Sequence, residues 1–259
     1  MSEIRAVFMD IDNTLLSHTQ NAIPASARKA LHMLGEKGIM RVLATGRHYI
    51  QMQTLPDVLD HEYEGYILLE GQLSLDKNRE VVCSSPLQGE ALEEVLSLFN
   101  RKEISVFFFE PDRIYANFYD DVVEELRRGA SWQVPGIGTY DGGDLLMASV
   151  FADVETEAKL APHLPHCKRD RWNAMGMDLI AKNAGKINGI RRFMEAEGLL
   201  PEEIIAFGDG ENDIEMLQMA GIGVAMGNAS EAVKRAADYV TDDIDEDGLY
   251  KALVHFRIL

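Results

Sequence analysis

The sequence predicts an α/β protein built on a parallel sheet, with an α+β domain inserted into it. Three observations carry that expectation. AVFMD (6–10), RVLATG (41–46) and IIAFGDG (204–210) each run through a short, unbroken apolar stretch into Gly, Thr or Asp. Unbroken runs of this length read as strands buried on both faces, the habit of parallel sheets. Between the first two lies PASARKALHMLGEKG (24–38), whose Ala27, Ala30, Leu31 and Leu34 share a helical face, with Gly38 placed to cap its end. Strand, helix and strand make a β-α-β unit. The middle of the chain then changes to an antiparallel grammar, which marks a second domain.

Taken in order, GQLSLDKNREVVCS (71–84) reads as a hairpin and EALEEVLSLFN (90–100) as an amphipathic helix. ISVFFF (104–109) and RIYANF (113–118) read as paired strands, with Phe107, Phe108 and Phe109 as domain core. DDVVEELRRG (120–129) reads as a helix, LLMASVF (145–151) as a strand, and CKRDRWNAMGMDLIA (167–181) as a further hairpin. The parallel pattern then resumes. Helices are expected over 186–197 and 212–219, and a strand over GIGVAMG (221–227). Asn228, with Glu231 three residues on, suggests a capping box. ADYV (237–240) is a short strand, and 245–256 a final helix whose acidic start, DDIDED (242–247), reads as surface charge matched to the helix dipole. The expected domains are 1–83 with 183–259, and 84–182.

At 259 residues the chain has room for two domains, and 46% hydrophobic residues give each a core. A net charge of −18 speaks against binding nucleic acid or an anionic membrane, both of which attract basic patches. An anionic substrate would need a metal or local positive charge. Cys83 and Cys167, the two cysteines, are too few for a disulfide framework and suit a reducing cytosol. Glu3 and Arg5 precede an apolar run too short for a leader, and no run nears the ~20 residues of a membrane helix, so the expected location is cytoplasmic.

Ligands of open parallel sheets bind beyond the carboxyl ends of the strands. The polar residues that end the three runs should therefore share one rim. Asp10 and Asp12 stand at that rim, where carboxylates must be paired, protonated or bound to a cation.

Four elements in order, DIDNT (10–14), Thr45 in ATGR, Lys186, and GDGEND (208–213), resemble the haloacid dehalogenase superfamily. Within it the chain is most similar to Cof-type phosphatases with a type IIB α+β cap, and GVAMGNASEAVKRAADYVT (223–241) and DEDGLYKAL (245–253) resemble that group's C-terminal signature. The resemblance implies a Rossmann-like core, an inserted cap, and Mg²⁺-dependent hydrolysis of small phosphorylated metabolites, sugar phosphates foremost, through an aspartyl-phosphate. It makes Asp10 the nucleophile and Asp12 the general acid and base, the latter favoured in its protonated form by neighbouring carboxylates. Mg²⁺ would be held by Asp10, the Asp12 carbonyl and Asp209, with Asp213 in support. Thr45 and Gly46, at a helix N-terminus, would bind phosphate together with Lys186 and Asn212. Arg47, Glu70, Arg169 and Arg171 are candidate substrate contacts, although basic residues at 168–171 also suit an exposed strand edge. His18, His48 and His163 receive no role.

The chain departs from the family where Asn13 replaces Gly, Glu70 replaces Asn, and Ile187 replaces Gly. Two other readings stay open: a phosphotransferase or mutase resembling phosphomannomutases, and a non-catalytic phosphometabolite sensor on the same fold.

Overall fold

The computed structural model describes residues 3–128 and 134–259. In chain order the elements begin with β1 (Ala6–Met9), α1 (Ala25–Glu36), β2 (Met40–Ala44), the short α2 (Tyr49–Met52), β3 (Gly65–Leu68), β4 (Leu73–Asp76) and β5 (Val81–Ser84). There follow α3 (Gly89–Arg101), β6 (Val106–Phe109), β7 (Ile114–Ala116), α4 (Asp121–Arg128), β8 (Met147–Val150), α5 (Val154–Leu160), β9 (Cys167–Asn173) and β10 (Gly176–Ala181). The chain ends with α6 (Lys186–Glu197), β11 (Ile204–Gly208), α7 (Ile214–Met219), β12 (Ile222–Ala225), α8 (Glu231–Ala236), β13 (Tyr239–Val240) and α9 (Gly248–His255). These divide into two units, Met1–Cys83 with Gly185–Leu259, and Ser84–Ala184.

The first unit holds an eight-stranded sheet in the order β13-β12-β11-β1-β2-β3-β4-β5. From β13 to β3 every pairing is parallel, and β4 turns back antiparallel to β3. All four residues of β1 are buried, as an unbroken apolar run between two helical layers requires. On one face Ala6, Phe8, Val42, Ile67 and Ala206 meet Ile190 and Phe193 of α6, Leu217 of α7 and Val233 of α8. Phe8 and Phe193 contact edge to face at 6.2 Å. On the other face α1 packs along β2 and α9. The α1 stripe is the one the spacing predicts, Ala27, Ala30, Leu31 and Leu34, and Gly38 closes the helix with a φ of +70°.

Two local expectations fail in this unit. Asn228 starts no helix, because Ala229 first turns back onto Met226 and α8 begins only at Glu231. The Asn228 side chain instead donates to the Asn13 carbonyl and accepts from the Ile244 amide. Nor does the acidic run 242–247 lie in the first turn of α9, which carries no acidic residue. Asp245 accepts from Ser17, Thr19 and Gln20, and Asp242 pairs with Lys251. Asp245 thus fastens the loop after β1 to the C-terminal segment.

The second unit is a five-stranded antiparallel sheet in the order β7-β6-β8-β10-β9. Ala91, Val95, Leu98 and Phe99 of α3 pack on Val106, Phe108, Ala148, Val150, Met177 and Leu179. Phe99 stacks on Phe108 at 3.9 Å within this core, while Phe107 and Phe109, also buried, point to the other face of β6, where Phe107 contacts Phe151. Gly129, the last residue of the expected fourth helix, lies outside the described residues. No described helix is long and apolar enough to cross a membrane.

Candidate active site

Parallel pairing of β1 with β11 brings two strand ends side by side. Asp10 directly follows β1 and donates its amide to the Phe207 carbonyl at 3.1 Å, while Asp209 directly follows β11. Asp213, one turn on, accepts the amides of Asp209 and Gly210 through Oδ2. Carboxylate oxygens of Asp10, Asp209 and Asp213 lie within 4.8 Å of one another. Thr14 Oγ1 donates to Asp209 at 3.0 Å, so DIDNT and GDGEND meet directly. The turn within DIDNT passes through Asn13, whose φ of +58° asparagine tolerates.

Lys186 is the first residue of α6 and is 2% exposed. A cation there opposes the helix dipole, but its Nζ donates to Asp10 at 3.0 Å and to Asp213 at 2.6 Å. The helix start is held by backbone packing. A Cβ on Gly71 would come within 2.6 Å of the Gly185 carbonyl, and one on Gly189 within 2.7 Å of Gly71.

Two of the three clustered carboxylates thus share one ammonium. Burial, reinforced by Asp213, Asp12 and Asp209, lifts the Asp10 carboxyl well above the usual range despite Lys186. Burial and Asp213 push Asp209 to about 6, against the pull of Thr14 and Lys186. Burial opposes the charge on Lys186, yet Asp10, Asp213 and Glu70 outweigh it and raise its pKa well above normal. The surplus is negative, and its donors are oxygens only, a set suited to a hard divalent cation.

Asp12 departs from expectation. Burial disfavours its charge, but Arg47 binds it through Nε and Nη2, both at 2.7 Å, and His18 Nε2 lies 2.7 Å from it, so its pKa is lowered. The carboxylate is ionised here because two basic groups, not other carboxylates, face it. Sequence reasoning missed His18 for want of any local signal and gave Arg47 as a candidate substrate contact, not as a partner of Asp12. Beside these residues, Asn13, Thr19, Asn228 and Asp243 border a cleft of about 280 Å³.

Thr45 is buried at the end of β2, and its Oγ1 accepts from the Arg47 amide at 3.2 Å. The helix expected behind Gly46 is short and starts only at Tyr49, where the ring of His48 caps it by accepting from the Ile50 amide. Glu70, buried on the turn after β3, accepts from Asn212 Nδ2 at 2.9 Å.

In the second unit, Arg169 and Arg171 register with Leu179 and Met177, which belong to the face covered by α3. Arg171 binds Glu157 of α5 at 2.6 Å and the carbonyls of Ala152, Asn173 and Ala174; Arg169 also faces Glu157. These arginines tie α5 to β9, which is the sheet edge. The edge explanation of the basic run agrees with the strand order, and both arginines, partly exposed, pair with Glu157.

The haloacid dehalogenase-like hydrolase family model matches residues 7–253. The chain is 30% identical to the putative phosphatase YkrA of Bacillus subtilis, over 98% of each chain. BT1666, a phosphatase from Bacteroides thetaiotaomicron, has a structure with a TM-score of 0.86 at 31% identity, covering 99% of this chain and 96% of its own. The sugar phosphatase BT4131, of HAD subclass IIB, gives 0.82 at 33%, covering 98% and 100%. With motifs, sheet order and charge cluster all in register, the chain belongs to the haloacid dehalogenase-like hydrolases.

Proposed function

We propose that the protein is a Mg²⁺-dependent phosphatase of small phosphorylated metabolites, sugar phosphates foremost, working through an aspartyl-phosphate. The observation that supports it most is Asp10, buried at the end of β1, tied to Lys186 and clustered with Asp209 and Asp213. A carboxylate oriented and desolvated in this way can attack phosphorus, which it does poorly in water.

In the first half-reaction an Asp10 oxygen bonds to phosphorus, the bond to the ester oxygen breaks, and Asp12 gives that oxygen its proton. In the second, Asp12 takes a proton from water, the water oxygen bonds to phosphorus, and Asp10 is released with inorganic phosphate. The ionised Asp12 of this structure is in the form needed for the second half. Protonation for the first half requires that Arg47 be drawn off, for which substrate phosphate is the natural partner. Thr45, Gly46, Lys186 and Asn212 would hold the phosphate. Asp10, the Asp12 carbonyl and Asp209 would hold Mg²⁺, with Asp213 in support; when bound, the ion offsets the negative charge of carboxylates and phosphate.

The segment from about 84 to 182 would act as the cap that selects among substrates. The sugar phosphatase BT4131 supports the sugar-phosphate preference by likeness. The test is release of inorganic phosphate from a panel of phosphorylated metabolites, with Mg²⁺ and with chelator. Phosphate released from several esters only with Mg²⁺ is expected. Transfer to an acceptor sugar would point to a mutase, and no turnover of any ester would overturn the enzyme reading.

A further inference from the structure

One charged side chain at the rim has no part in the mechanism above. Glu70 is 6% exposed, and its Oε1 accepts from Asn212 Nδ2 at 2.9 Å. The same oxygen lies against Gly46, where an added Cβ would be 2.5 Å from it. A carboxylate oxygen therefore takes an Nδ2 hydrogen of Asn212 and the space beside Gly46, two groups to which the proposed function gives the phosphate. The turn that delivers it is held firmly. Leu69, Glu70 and Gly71 have φ of +52°, +54° and +81°, a conformation unfavourable for the first two. Gly71 packs on the backbone of Gly185 and Lys186, so the turn cannot relax without moving the lysine.

We propose that Glu70 is a resident anion of the phosphate subsite: it keeps Asn212 oriented while the site is empty, and its charge weakens the hold on phosphate so that product leaves. The proposal rests on the phosphatase reading of this site. Arginine and lysine attract phosphate here, and a fixed like charge beside them sets an upper limit on affinity. Substrate and product phosphate feel the same repulsion, so its removal should tighten both.

Glu70→Gln keeps an acceptor oxygen for Asn212 and removes the charge, whereas Glu70→Ala removes both. Inorganic phosphate is titrated calorimetrically into the Mg²⁺-loaded full chain, and steady-state kinetics are measured with one phosphate ester. Glu70→Gln is expected to bind phosphate about tenfold more tightly than wild type and to lower KM by a similar factor without raising kcat. Glu70→Ala should bind more weakly than Glu70→Gln, because Asn212 loses its anchor. Glu70→Asn, neutral and tolerant of the left-handed backbone, gives the same reading should Glu70→Gln misfold. Phosphate binding in the folded neutral variants that is equal to or weaker than wild type overturns the proposal, whatever the turnover. Binding is read without catalysis, so tightening in a chain that hydrolyses no ester would sink the phosphatase reading and leave the resident anion standing.

Discussion

Lys186 stands between Asp10 and Asp213, and a single ammonium cannot offset the charge of the three clustered carboxylates, two of them buried. Removing the Asp10 charge tests the chemistry: Asp10→Asn should keep the fold and lower kcat by about 10³-fold or more in a phosphate-ester assay. Activity within tenfold of wild type contradicts a covalent nucleophile. For the metal, Asp213 is spent on Lys186 and two amides, whereas Asp209 accepts one side-chain bond among the described residues, from Thr14. Asp209→Ala should therefore raise the Mg²⁺ needed for half activity more than Asp213→Ala does, outer support being worth about 10- to 100-fold. Asp209 also gives a pH signature. With its carboxyl at about 6, the metal-free folded chain keeps a proton that an unfolded aspartate sheds near ~3.9. Stability from this group falls as pH rises through that window and stays reduced above it. In chelator, Asp209→Asn should be more stable than wild type at pH 7.5, by about 3 kcal/mol, and alike at pH 4. A constant difference between the two pH values would contradict the raised carboxyl.

At the scale of elements, the start of α6 depends on a glycine-to-glycine approach to the turn after β3. Gly189→Ala inserts a methyl where Gly71 stands at 2.7 Å, which should cost about 1–3 kcal/mol, lower Tm, and reduce kcat as Lys186 shifts. Calorimetry with one activity assay checks both. In the second unit, burial first and Glu94 next push the Cys167 thiol up to about 12, while Cys83 is half-buried. Alkylation at pH 8 should label Cys83 and spare Cys167 until the unit unfolds, as mass spectrometry can show. Which elements could be read beforehand follows from range. The stripe of α1 and its Gly38 cap are local and were legible, as were β1, β2 and β11 from their apolar runs. The Asn228 box failed because that side chain is claimed by Asn13 and Ile244, partners the chain supplies from elsewhere. The pairs Arg47 with Asp12, Asn212 with Glu70, and Asp245 with Ser17 join distant segments, and spacing along one segment says nothing of them. Asp10, Lys186 and Asp209 are equally distant, but their motifs were informative because the family pattern ties them together.

For the whole molecule, the two units each carry their own core cluster, so effects on chemistry and on selectivity should separate. Lys186→Ala should depress kcat/KM for every ester by a similar factor, while substitutions within the cap reorder the preference. Arg171→Ala is expected to act on stability instead, since it holds α5 to the edge strand. Profiling a substrate panel and measuring Tm for each variant distinguishes the two effects. An unchanged ranking across all cap variants would remove the cap as the selecting element.

The pairing of β1 with β11 also bears on synthesis. A ribosome delivers Asp10 before the insert, whereas Lys186, Asp209 and Asp213 emerge only after the whole insert has been made. Until then β1 has β2 as its neighbour and open hydrogen-bonding groups on the other edge. The insert has a core of its own and can fold while β1 waits for its second partner. On the proposed mechanism a nascent chain would therefore stay inactive until β11 has been made, and a product cut short before Ile204 would hold Asp10 without Asp209 and Asp213 beside it.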